Sequence, residues 1–105
     1  MDLEEIVMQI IINSGEARSQ CLNAIREARK KNHLQARDLL HRAKDALSRA
    51  HQIQTEMIQE EVRGNSQRVS MIMVHAQDHL MNALTVKDLA TEIIAIIEEK
   101  NTKEC

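Results

Sequence analysis

No proline interrupts the 105 residues of this chain, and apolar side chains recur at steps of three and four along most of it. Proline ends or kinks a helix because it lacks an N–H and its ring strikes the carbonyl one turn back. A chain with this spacing and no such breaker is committed to long helices. Phe, Tyr and Trp are also absent, so the core must be built from Leu, Ile, Val, Met and Ala, which suits close helix packing.

The periodicity predicts an all-α antiparallel three-helix bundle, with helices at about residues 2–31, 33–62 and 66–99 in a single domain spanning 1–105. Asp2 and Glu5 form a capping-box pattern at the first start, and Lys30-Lys31 suit a helix C-terminus. The first seam reads Leu3, Ile6, Ile10, Asn13, Ala17, Cys21, Ala24, Ala28. Gly15 lies inside this helix at a cost of about 1 kcal/mol relative to Ala, which predicts close approach of a neighbouring helix. Asn32, with Gln35 as reciprocal partner, is the expected cap of the second helix, whose seam is Ala36, Leu39, Ala43, Ala46, Ala50, Ile53, Met57. Gly64 and Asn65 are turn formers, and Ser66 is the expected cap of the third helix. Residues 101–105 are read as a frayed tail.

The third segment is apolar on nearly every face. One stripe, Val69, Ile72, Ala76, His79, Ala83, Val86, Ala90, Ile93 and Ile97, is assigned to the bundle core. Met71, Asp78, Asn82 and Leu89 lie beside it, while Met73, Leu80 and Leu84 are taken to face away. A helix that is apolar all round must be buried all round. One small protomer has too little volume for that, which predicts a homo-oligomer with the third helices at its centre.

Composition also narrows function. There are no aromatic platforms for single-stranded nucleic acid, and a net charge of −2 gives no basic footprint for DNA or RNA. Cys21 and Cys105, in a chain with no signal-peptide pattern, fit a reducing cytosol without a disulfide framework. Cys21 reads as a buried small hydrophobe and Cys105 as a free thiol. No apolar run reaches the ~20 residues that cross a bilayer. Two isolated glycines cannot make a phosphate-binding loop, and no Ser or Cys nucleophile has a base and an orienter. If this chain handles phosphate, another protein must deliver it.

Against that plain background, Val74-His75-Ala76-Gln77-Asp78-His79-Leu80-Met81 stands out. His75, Asp78, His79 and Asn82 fall within a helical sector of roughly 100°. Imidazole is neutral, nucleophilic and able to carry charge near neutral pH. Two chemistries fit the cluster: a metal site from His75, Asp78 and His79, or a histidine phosphotransfer domain serving a response-regulator aspartate. A helical assembly module without chemistry is the plainest reading of the remaining pattern. Ala76 stands where a zinc protease needs glutamate. His33 and His41 lie in charged stretches and are expected to be solvated, and His51 is ambiguous. The methionines are read as core filler, and the run Arg26 to Lys31 as a solvated helix end.

The same string closely resembles the signature of the enzyme IIA component, lactose/cellobiose class, of the bacterial phosphoenolpyruvate-dependent sugar phosphotransferase system. Ile11-Ile12-Asn13-Ser14-Gly15-Glu16-Ala17-Arg18-Ser19 resembles that family's first-helix motif, and Ala50-His51-Gln52-Ile53-Gln54-Thr55 its second. The resemblance implies a homotrimer of three-helix protomers. It implies a cytoplasmic phosphoryl carrier that takes its group from the phosphocarrier HPr onto His75. The group passes to a cysteine of the cognate enzyme IIB, and so indirectly to the membrane permease component IIC and its sugar, of lactose, cellobiose or chitobiose type. It places Asp78 near the threefold axis, binding a divalent cation, for which oxygen ligands favour Mg²⁺. His79, one turn on, is a candidate donor to the phosphoryl oxygens, with Gln54 a weaker one. His75 is read as mid-helix, out of reach of its own helix N-terminus.

Overall fold

The computed structural model describes residues 2–104 as three helices, α1 (Leu3–Arg29), α2 (His33–Val62) and α3 (Met71–Glu104), in a rod of 58 × 20 × 19 Å. Asp2 starts α1, its Oδ1 accepting the Glu5 N–H at 3.0 Å. The first two helices end in the same way. Lys31 adopts φ +68°, its N–H donates to the Ala28 carbonyl at 3.0 Å, and the Asn32 N–H reaches back to Glu27 at 2.9 Å. Gly64 adopts φ +96°, its N–H donates to Glu61 at 3.0 Å, and the Asn65 N–H reaches Glu60 at 2.8 Å. Both are Schellman ends, which give orphan helix carbonyls a partner.

In each case the asparagine side chain also donates to the glutamate five residues back, Asn32 to Glu27 at 2.8 Å and Asn65 to Glu60 at 2.9 Å. The Asn65 amide, then Arg63, holds the Glu60 carboxyl below the usual carboxylate range. That stabilisation is present above the ordinary carboxylate range and is lost as pH falls through the lowered value. Asn32 is therefore engaged with α1, and its side chain makes no capping bond to α2, contrary to the expected pairing with Gln35.

The third helix begins later than the sequence spacing predicts. Ser70, not Ser66, is its cap: Ser70 Oγ accepts the Met73 N–H at 3.3 Å, and the Ser70 carbonyl accepts Val74 N–H at 3.0 Å. Packing explains the choice. Ser70 and Ile72 lie beside Leu3, Val7 and Met8, the opening of α1, whereas Val69 is 77% exposed. Helix begun at 66 would have gained no burial. At the other end, α3 passes the expected stop at 99 and stays helical through Glu104, in the segment read as a frayed tail; Cys105 lies outside the described residues. Asn101 Nδ2 lies 3.2 Å from His33 Nε2, tying the last turns to the start of α2. His33, expected in solvent, is half-buried there beside Glu98 and Arg37.

The core seam of α1 is Val7, Ile10, Ser14, Ala17, Cys21, Ala24 and Ala28, close to the predicted stripe. That of α2, Ala36, Leu40, Ala43, Ala46, Leu47 and Ala50, likewise agrees. The stripe on α3 is rotated. Met73, Leu80 and the half-buried Leu84, taken to face away, point inward with Ala76, Ala83, Ala90 and Ile94. Val69, Ile72 and Ile93 are exposed instead. Ten of the eighteen buried apolar residues are alanine, which lets the helix backbones approach closely. Met8, Met71 and Met81 are exposed rather than core filler.

Gly15 has open space where a Cβ would sit, so no helix of the same protomer approaches it closely. Gly15→Ala is expected to raise the stability of the protomer by up to about 1 kcal/mol in denaturant titration, since helix propensity alone acts there. Lys31 carries a side chain in the left-handed region. Lys31→Gly is expected to raise the unfolding midpoint by the equivalent of about 1 kcal/mol, and Gly64→Ala to lower it by a similar amount. Equal and negligible shifts at both positions would refute this account of the helix ends.

Candidate phosphoryl-acceptor site

Because α3 starts at Met71, His75 lies in its second turn rather than in mid-helix. Helical side chains lean towards the N-terminus, so the His75 ring sits over the first turn. The N–H groups of Met71 and Ile72 in that turn lack intrahelical acceptors, and the helix dipole presents its positive end there. The inward residues Met73, Ala76 and Leu80 anchor this stretch of helix, leaving His75 and Asp78 exposed and His79 half-buried.

The sequence cluster is thus assembled on one side of α3. The rings of His75 and His79 meet edge to face, with centroids 4.5 Å apart and planes at 86°. This contact orients His75 by packing; among the described residues neither of its nitrogens has a hydrogen-bond partner. His75 and Asp78 line an open groove of ≈420 Å³ with Met71, Ile72 and Val74. Ile72 also lines the adjoining groove of ≈390 Å³ with Leu3, Val7, Met8 and Ser70. The imidazole therefore stands on an apolar shelf that runs from α3 onto α1. An exposed shelf of this kind fits docking of a protein better than enclosure of a small molecule.

Gln54 is not brought to His75. Its Nε2 donates to Gln77 Oε1 at 2.7 Å and lies 3.8 Å from Met81 Sδ, on the flank of α3 that meets α2. Gln77 is two residues from His75, and two helical steps put them on opposite flanks. Gln54 thus bridges α2 and α3, the least extensively packed helix pair, which also meets through His33, Arg37, Glu98 and Asn101 near the other end of α3. Nor do His75, Asp78 and His79 make a metal site within one protomer: among the described residues no three metal-ligating side chains converge. Asp78 makes no hydrogen bond or ion pair to another described residue.

Two contributors to the site were missed in the sequence, Ser70, which sets where α3 starts, and Met8, which extends the shelf from α1. Ser70 had a readable signal, a hydroxyl immediately before an apolar run. Met8 had none, because its proximity to Ile72 is tertiary. Cys21 is buried as expected; burial pushes its thiol up, opposed by Lys87 and Lys44. No helix among the described residues is long and apolar enough to cross a membrane.

Comparison with known proteins agrees with this geometry. Residues 5–98 match the family model described as PTS system, Lactose/Cellobiose specific IIA subunit. The chain is 47% identical over 98 residues to the lichenan-specific phosphotransferase enzyme IIA component of Bacillus subtilis, covering 93% of this chain and 89% of that one. It is 39% identical to the N,N'-diacetylchitobiose-specific EIIA component of Escherichia coli, covering 93% and 84%. Its fold superposes on the crystal structure of the cellobiose-specific enzyme IIA from Bacillus anthracis with a TM-score of 0.91 at 43% identity, over 98% and 95% of the two chains. It also superposes on a solution structure of the Escherichia coli IIA(chitobiose)–HPr complex, with a TM-score of 0.82 at 37% identity, over 96% and 98%. A histidine set on an open helix face, a three-helix rod, and matches spanning nearly the whole chain lead to one conclusion: this protein belongs to the lactose/cellobiose-specific IIA family of the sugar phosphotransferase system.

Proposed function

We propose that His75 is the phosphoryl-accepting residue of this IIA component, receiving its group from HPr and passing it to the cysteine of a cognate enzyme IIB in the cytoplasm. The observation that carries the reading is the His75 imidazole, exposed on an apolar shelf, packed edge-on to His79 and one turn inside the start of α3. The relative seen in complex with HPr supports the choice of donor.

In the first transfer the lone pair of neutral His75 attacks phosphorus. A new N–P bond forms as the bond from phosphorus to its carrier atom on HPr breaks, and that atom keeps the electron pair. In the second, a cysteine thiolate attacks, an S–P bond forms, and His75 recovers its lone pair. The transferring group spreads negative charge over three oxygens, so positioning and electrostatics do the catalytic work. The first turn of α3 supplies unpaired N–H groups and a positive dipole end, and His79 supplies a ring N–H one turn on. The shelf excludes water when a protein partner covers it. The sugar is then fixed by the membrane component IIC, with a disaccharide or β-glucoside oligomer favoured by the names of the relatives.

The protein further acts as a homotrimer with α3 at its centre. The support is the second apolar face of α3, where Met71 is 86% exposed, Leu89 56% and Ile96 62% in the lone protomer. Asp78 shares that face and has no partner among the described residues. One carboxylate per protomer is no metal site, but three on an axis offer hard oxygen donors suited to Mg²⁺ or a similar divalent cation. Such a cation would offset the repulsion between like charges.

Incubation with phosphoenolpyruvate, enzyme I and HPr should give an acid-labile phosphoryl adduct by intact mass, absent in His75→Gln. No adduct on the wild-type chain, with HPr itself phosphorylated, would sink the carrier reading. His79→Phe, which keeps a ring against His75 and removes the N–H donor, should slow transfer about tenfold, the worth of one hydrogen bond of about 1.4 kcal/mol. Ser70→Ala should cost about 1 kcal/mol at the cap and slow transfer as the first turn frays, read by helical content and phosphorylation rate together. Asp78→Leu should leave a trimer that no longer responds to chelator in thermal melts. If it gave only monomers, the charge-compensation account would be wrong.

A further inference from the structure

The outer face of α3 has a regular order. Ile72, His75, His79, Asn82, Val86, Leu89, Ile93 and Ile96 follow steps of three and four without a break, with Asp78 alongside. The inner seam of the same helix, Met73, Ala76, Leu80, Ala83, Ala90 and Ile94, is already closed against α1 and α2. A repeat of about 3.5 residues is tracked over that length only by a partner helix of the same period. A copy of α3 has that period by construction, and rotational symmetry closes the assembly with the helices parallel.

Apolar matching alone does not fix how the copies align. A slip of one heptad sets Val86 against Ile93 and Leu89 against Ile96, aliphatic against aliphatic in both cases. The aligned register also brings equivalent Asp78 carboxylates together, which repel one another unless a cation lies between them, so in chelator Asp78 does not favour that register. Asn82, one turn beyond Asp78, is the only neutral amide in this seam, is exposed, and has no hydrogen-bond partner among the described residues. In the aligned register each Asn82 meets its own copies, and the carbonyl oxygen of one can accept from the Nδ2 of the next. After a heptad slip it faces His75 or Leu89, and an amide buried against an aliphatic chain is left unpaired.

We infer that Asn82 is the register-setting residue of the self-association seam, a positioning residue that holds the His75 sites of three copies at one height. The inference rests on the trimer reading above. It assigns to Asn82 a loss of raw stability in exchange for a single assembly, the behaviour of isolated polar residues in coiled-coil seams.

The test uses the full chain carrying Cys105→Ser and Ile96→Cys. Parallel, aligned copies bring like positions within disulfide reach, and the remaining Cys21 is buried. On air oxidation, two of the three equivalent thiols should join in one disulfide with the third left free, and the chain should run as one trimer in native mass spectrometry. Adding Asn82→Leu should shift the aligned-to-slipped equilibrium about tenfold or more towards the slipped registers, as expected when the amides no longer penalise them, and so slow disulfide formation. It should also add other oligomers and raise the thermal midpoint. Asn82→Ala carries the same test if the leucine variant aggregates. A single trimer that cross-links at the original rate in both variants would overturn the role of Asn82. A parent chain that runs as a monomer and fails to cross-link would overturn the trimer reading itself.

Discussion

Everything in this molecule depends on α3 carrying two apolar faces at once, one buried against α1 and α2 and one exposed. Its inner side is lined with alanine at 76, 83 and 90, which draws α1 and α2 close without filling space. That thin, well-packed contact secures the helix with only part of its circumference. The opposite side remains free to carry large aliphatics beside His75, Asp78 and His79. Had the inner side needed broad aromatic packing, less of the helix would have been left for the second face. The absence of Phe, Tyr and Trp and the location of the site are thus linked by geometry.

The position of His75 follows from a second constraint, the place where α1 begins. Leu3, Val7 and Met8 give α3 something to pack on from Ser70 onward and nothing earlier. Ser70 is therefore the residue that caps, and His75 falls in the second turn. A histidine three turns deeper would face helical N–H groups already bound to carbonyls. Here the first turn, with its unpaired donors and the positive end of the helix dipole, is only one turn away.

Much of this was legible in the sequence, and the exceptions share a cause. The seams of α1 and α2 were readable because each has one apolar side, and apolar spacing then has one phase. On α3, with two apolar sides, the same counting admits several phases, and Met73, Leu80 and Leu84 were assigned outward although they form the core. Small residues decide the phase, since only alanine fits where backbones approach. The cluster of His75, Asp78 and His79 was legible because local spacing alone sets it. Gln54 was misplaced towards His75 because its contact with Gln77 depends on which flank of α3 meets α2, which no local pattern encodes. Asn32 and Ser66 show a related limit: several residues near a helix end can cap, and tertiary contacts choose among them. Asn32 was drawn to Glu27 behind it rather than to α2 ahead.

A carrier that meets two proteins in turn has different needs from an enzyme that encloses one substrate. A deep pocket would have to open for each partner. An exposed imidazole needs only to be held in orientation, and edge-to-face packing on His79 does that without a hydrogen bond that would commit either nitrogen. The shelf around it is apolar and rich in methionine, with Met8 and Met71 both exposed. Unbranched thioether side chains adjust to different contact surfaces at low cost. Partners of different shape can then each cover the same histidine and exclude water from it.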